Sequence, residues 1–332
     1  MILALTLAIL GTACAAEPPG VAVALADTLE IQEWKVPWAN TRPRDPTVAA
    51  DGRVWFVGQV GNYVAVFDPR TAEFRRYDLP ARALPHTVTA GPDGMLYYAG
   101  NGDSHIGRLD PATGQIRRYD MPDPAARDPH TIVFSETGDA WFTVQGGNFI
   151  GRLNPTTGEV RLVQPTVAGA RPYGIVVDET NRPWVVLFGT NRVATVDPAT
   201  MELKEFVLPA AEARPRRLVR TGDGMIWYGD VRRGMLGRLD PRDGSVKEWA
   251  LPGGEDSGPY AMALDDQGKI WIAETGVRPN RLVGFDPAAE RFFGSTAIPS
   301  GGGAIRHMVF HAPTRSIWFG ADTNTLGRAK LP

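Results

Sequence analysis

The chain has 332 residues, of which 37 are glycine and 28 proline, with 43% hydrophobic residues, nine tryptophans and a formal net charge of -2 at a pI near 6.2. Glycine and proline at about a fifth of positions exclude a helix-rich fold, because each weakens or ends a helix, and the hydrophobic share excludes a disordered chain. Lys+Arg (35) nearly balance Asp+Glu (37) with no basic run, so there is no electrostatic footprint for nucleic acid or a membrane surface; a single cysteine, Cys14, excludes an internal disulfide.

Residues 2–10, ILALTLAIL, form an apolar run too short to span a bilayer. The small residues GTACAA follow, so segment 1–16 reads as a secretory signal cleaved near Ala15 or Ala16, although the first cationic side chain is Lys35. Residues 17–29 read as a linker. The expectation is a periplasmic or secreted protein with no membrane span, acting as a monomer. A lipoprotein anchored through Cys14 is the alternative, although Gly11 stands where such signals carry an aliphatic residue.

From residue 30 onward one unit repeats. An aromatic after G-x-φ falls at Trp55, Tyr97, Trp141, Trp184, Trp227, Trp271 and Trp318, at intervals of 42 to 47 residues. A proline opens the unit at Pro46, Pro85, Pro129, Pro172, Pro215 and Pro259, with Arg306 in the seventh place. An I-G-R-L-D-P-x-T-G run recurs around Gly107, Gly151 and Gly237 and, more loosely, around Ala65, Ala194, Gly284 and Gly327. In the third unit the pattern predicts strands at 130–134, 140–144, 149–153 and 159–163, separated by turns. Four strands per unit, seven times, predict an all-β seven-bladed propeller over 30–332. The seventh unit ends after three strands, and EIQEWKVP at 30–37 resembles the fourth strand of other units. The N-terminal strand is therefore expected to close the last blade. Asp68, Asp110, Asp197, Asp240 and Asp286 in the D-P runs read as turn formers.

In such a ring, the residue after the opening proline and the residues three or four after the aromatic line one mouth of the central channel. The first set is Thr47, His86, His130, Tyr173, Arg216, Tyr260 and His307. Three of the chain's five histidines thus share one position, and His86, His130 and His307 are the candidate catalytic residues. Tyr173, Arg216, Tyr260, Gln145 and Arg306 are candidate substrate contacts; Asp128 and Glu274 are candidate metal ligands; Asp45 is a further carboxylate and Arg44 a further cation. The same residues also suit a hydrated channel lining, with Glu274 paired to Arg278 or Arg306. His105 and His311 fall outside the rim register and read as surface residues.

The combination of P-H-T-I/V, W-F-T, N-x-I-G-R-L and Y-D-L-P resembles the streptogramin B (virginiamycin B) lyase family over residues 30–332. The resemblance implies a seven-bladed propeller that opens a cyclic depsipeptide at its ester by Mg²⁺-dependent β-elimination. It implies two rim histidines on adjacent blades, a Glu two residues before the second and a Glu near the end of the following strand. By chain order the last-blade histidine falls on His307, its partner on Tyr260, the preceding Glu on Ile305 and the strand-end Glu on Ala321. A second match stands on another pair of blades, where Asp128-Pro129-His130 mimics Glu-Pro-His beside His86 and the strand end carries Val144 and Gln145. Elimination on a cyclic peptide or other small-molecule substrate is the first functional expectation. A non-catalytic ligand- or protein-binding propeller is the second, and a gluconolactonase-like metal-dependent hydrolase using Asn101 and Glu274 is the third.

Overall fold

The computed structural model describes residues 29–332, so the expected signal, Cys14 and the linker up to residue 28 lie outside the described residues. Seven four-stranded antiparallel sheets follow one another around a channel. Their inner strands open at Pro43, Pro85, Pro129, Pro172, Pro215, Pro259 and Ile305, which number blades one to seven. The third blade runs Pro129–Phe134, Ala140–Val144, Phe149–Leu153 and Val160–Val163, close to the expected bounds.

Closure is as expected. Glu30–Lys35 pairs antiparallel with Thr325–Lys330, from Glu30 opposite Lys330 to Lys35 opposite Thr325, and supplies the outer strand of blade seven. Trp34 stacks on Trp318 at 5.5 Å between ring centroids and also meets Phe67 of blade one, so the closing strand joins two blades. Leu29 is already buried, its N–H donating to Thr296 Oγ1 at 3.1 Å.

The repeat motifs have local causes. The aromatic Tyr98, Phe142, Tyr228 and Phe319 of second strands lie directly across from Gly107, Gly151, Gly237 and Gly327 of third strands. A Cβ at Gly107 would fall 2.0 Å from Tyr98 Cζ, so the glycine of I-G-R-L is the floor on which the ring rests. In the D-P turns, Asp110 Oδ1 accepts from the Ala112 N–H at 2.8 Å and Asp197 Oδ1 from the Ala199 N–H at 2.9 Å, which fixes the turn from the side chain.

In every blade the inner strand's register slips near its start, as between Pro85 and Val88 or Pro129 and Ile132. Such a bulge sets two residues against one and re-aims side chains. It gives each blade two consecutive positions facing the channel, not one.

Candidate functional site

The ladder pairs fix which residues are equivalent. Pro85 lies opposite Gly100, Pro129 opposite Val144 and Pro259 opposite Glu274; the corresponding pairs in blades one and seven are Pro43 with Gly58 and Ile305 with Ala321. The rim residues are therefore Arg44, His86, His130, Tyr173, Arg216, Tyr260 and Arg306. This corrects two expectations. Blade one opens at Pro43 and not Pro46, so Arg44 and not Thr47 stands at the rim. Blade seven opens at Ile305, so Arg306 takes the rim and His307 falls one residue deeper. The sequence misled because the inner strand of blade one carries two prolines three residues apart and that of blade seven carries none.

At the rim, His86 and His130 are in contact, with ring centroids 3.3 Å apart, and His130 meets Tyr173 at 3.9 Å. Both histidines are buried, at 3% and 2% exposed. His86 Nε2 faces the Arg44 guanidinium, which also donates to Gln59 Oε1 at 2.7 Å; His130 Nδ1 is 2.9 Å from Thr131 Oγ1. Burial, joined by Arg44 and Arg217, holds both rings well below the usual imidazole pKa, so they are neutral at pH 7. The Tyr173 and Tyr260 hydroxyls share a hydrogen bond. Burial would raise the Tyr173 phenol, but Arg216, Arg217 and Arg44 together bring it below 10; burial and its neighbour push Tyr260 up. The Arg216 guanidinium lies 3.8 Å from the Tyr260 ring centroid and 4.7 Å from that of Phe188.

One residue deeper, Asp45, Thr87, Thr131, Arg217 and His307 form a second layer, in which Asp45, Thr87, Thr131 and Arg217 are joined by hydrogen bonds. Asp45 Oδ2 accepts from Arg217 Nη2 at 3.0 Å and from Thr87 Oγ1 at 2.7 Å. Arg217 also donates to Thr131 Oγ1 and to the Arg306 carbonyl, both at 3.1 Å. Burial would raise the Asp45 carboxyl, but Arg217, His307 and Arg44 keep it below the ordinary value. His307 is brought to about 4 by burial and Arg217, with Asp45 opposing. It lines a separate cavity of about 360 Å³ together with Thr87, Thr131, Arg217 and apolar side chains such as Ile175 and Met308. His307 therefore does not join the His86–His130 pair at the rim. Arg217 was missed at the sequence level; its signal was the second charge in the inner strand PRRLVR, where blades two, three, four and six carry Thr87, Thr131, Gly174 and Ala261.

The carboxylates expected to bind metal are already engaged. Asp128 accepts from Asn101 Nδ2, and burial raises it to about 6. Glu274, fully buried, is bound by Arg281 and by the Gly253 N–H at 2.8 Å, so its expected partners Arg278 and Arg306 are corrected to these. Asp128 and Glu274 stand on different blades, and Asn101 is held by Asp128, so neither the Mg²⁺ set nor the hydrolase-type Asn101–Glu274 set is assembled. Among the described residues no three His, Cys, Asp or Glu side chains gather as a metal site. The donor set does not fit Mg²⁺. Gln145 is half-buried, its N–H donating to the Asp128 carbonyl at 2.9 Å. His105 is a core residue and not a surface one: it is 1% exposed, 2.7 Å from Asp103 Oδ1, and its ring covers Gly100. His311 is half-buried and bonded to Thr314.

The model of the virginiamycin B lyase family matches residues 22–180 and 158–331. The chain belongs to that family. Virginiamycin B lyase from Staphylococcus aureus, among the similar solved structures, superposes with a TM-score of 0.83 at 23% identity, over 92% of this chain and 100% of that one. A streptogramin B lyase structure gives 0.83 at 22% identity, over 92% and 98%. A catalytically inactive His-to-Ala variant of the staphylococcal enzyme, solved with quinupristin, also gives 0.83 at 23%, over 92% and 100%. No curated protein matches the chain significantly. At these identities the likeness shows the fold. Within the family frame, the rim places of blades six and seven are Tyr260 and Arg306, and the adjacent-blade histidines stand on blades two and three. No helix among the described residues is long and apolar enough to cross a membrane.

Proposed function

We propose that this protein is a carbon–oxygen lyase, secreted or periplasmic, that opens an ester in a cyclic depsipeptide or a related small molecule by β-elimination at the channel mouth. The observation that supports this reading is the contacting pair His86 and His130, both held neutral at the rim of neighbouring blades. Elimination needs a base able to take a proton α to a carbonyl, and a neutral imidazole is one. In the tautomer that donates Nδ1–H to Thr131 Oγ1, His130 keeps the lone pair of Nε2 for that proton. The Cα–H electrons become the Cα=Cβ bond, the Cβ–O bond breaks, and its electrons leave with the carboxylate. Arg44, Arg216 and Arg306 supply positive charge toward the developing enolate and the departing anion.

A non-catalytic binding propeller is favoured instead by the burial of both histidines. The test is a screen of cyclic depsipeptides, lactones and linear esters read by mass spectrometry. Elimination in a ring leaves the mass unchanged and creates an unsaturated residue, whereas hydrolysis adds one water. Unsaturated product lost in His130→Ala supports the lyase; ligand binding with no ring opening supports the second reading; addition of water overturns elimination.

A further inference from the structure

The rim carries three arginines, two neutral histidines and two tyrosines, and no carboxylate. The carboxylates nearby have partners: Asp45 is bound by Arg217, Asp128 by Asn101, Asp322 by Arg306 and Glu274 by Arg281. Arg216 differs from the other rim arginines. It makes no ion pair among the described residues; its guanidinium packs on the faces of Tyr260, Phe188 and Tyr173 at 3.8, 4.7 and 5.1 Å, with Nη2 3.5 Å from the Tyr173 hydroxyl. Its Nε is buried without a hydrogen-bond partner. A buried donor left unpaired is costly, and an arginine fork with a free Nε edge fits the two oxygens of a carboxylate. Arg216, Arg217 and Arg44 bring the Tyr173 phenol down against its burial, and arginines join burial in lowering both rim histidines.

We infer that the channel mouth is a carboxylate-binding site centred on Arg216, with Phe188 and Tyr260 receiving the apolar body of the ligand, and that it does not take a divalent cation. A divalent cation would meet arginines where it needs oxygen ligands. A carboxylate meets a guanidinium that has no ion-pair partner among the described residues and whose Nε lacks a hydrogen bond. The inference rests on the mouth being the ligand site of the proposed function, and it names the chemistry that the site retains: the acid released when an ester is opened by elimination.

The experiment is isothermal titration of the folded chain, without turnover, using benzoate, inorganic phosphate and MgCl₂ separately. Saturable benzoate binding, weakened about tenfold or more in Arg216→Gln, with no saturable Mg²⁺ binding, is expected. Arg216→Lys keeps the charge but loses the planar fork, and it gives the same readout if the glutamine variant does not fold. Benzoate binding unchanged in a folded Arg216 variant, absence of saturable benzoate binding, tighter binding of phosphate, or Mg²⁺ binding abolished by Asp128→Asn would each overturn the inference. Binding is read apart from catalysis, so failure of ester opening with benzoate binding intact sinks only the lyase reading.

Discussion

Arg217 of blade five crosses the channel to Asp45 of blade one, Nη2 to Oδ2 at 3.0 Å, and both side chains are almost fully buried. The pair ties near-opposite blades of the ring, and Arg217 adds hydrogen bonds to Thr131 of blade three and to the Arg306 carbonyl of blade seven. Breaking a buried pair on one side leaves a charge without a partner, which costs about 3–5 kcal/mol. Arg217→Met is therefore expected to lower the free energy of unfolding by that amount in urea denaturation. The double variant Asp45→Asn, Arg217→Met should recover a large part of the loss, since neither charge is then stranded. Equal losses in the single and double variants would show that the pair contributes through packing and not through charge.

Acid sensitivity follows from the same layer. Burial with nearby arginines lowers the pKa values of His86 and His130, and that of His307 to about 4. The unfolded chain, with imidazoles near 6.5, thus binds more protons than the folded chain below that pH. The stabilising contribution is complete above about pH 6.5 and is lost as pH falls, for His307 until about pH 4. The lowered Asp45 adds a further loss only below its unfolded value near 3.9. Thermal midpoints should decline between pH 6.5 and 4, with Asp128, raised to about 6 by burial, opposing part of the fall below pH 6, and His307→Asn should flatten part of that decline. A flat profile over this range in the parent protein would contradict the depressed histidines.

The fold was legible because its causes are local and repeated. Trp141 and its equivalents, the Gly107–Tyr98 floor and the Asp110 turn recur once per blade or nearly so, and strand EIQEWK announces the missing fourth strand of blade seven. The rim was legible only in part. His86 and His130 follow prolines that keep the repeat, so their position could be read directly. Arg44 and His307 lie where the repeat breaks its own punctuation, and only the ladder partners Gly58 and Ala321 fix their register. The engagement of Glu274 by Arg281 depends on a neighbouring strand, so a spacing argument could not separate a free carboxylate from a bound one.

The glycine of I-G-R-L is set by the ring above it. Gly107→Ala places a methyl group against Tyr98, and overpacking of this kind costs about 1–3 kcal/mol. The loss should appear in the denaturation midpoint and be relieved in Gly107→Ala, Tyr98→Leu, which removes the ring. No relief in the double variant would place the strain in the backbone.

The rim histidines make the last prediction. Because Arg44 and Arg217 join burial in holding His86 and His130 neutral, a base drawn from this pair is available well below pH 6.5. On any ester that the protein opens, kcat/KM should stay level as pH falls through 6.5 and drop only at lower pH, unlike catalysis by an ordinary imidazole. Arg44→Gln removes one of the charges acting on both rings and should move the acid limb upward in pH. His130→Ala should lower kcat/KM by about 10²-fold or more, the usual contribution of a general base. His86→Ala, which leaves His130 in place beside Thr131, should shift the acid limb and reduce the rate less. If His86→Ala costs as much as His130→Ala and leaves the acid limb unmoved, the two roles are reversed, and the base is the histidine facing Arg44.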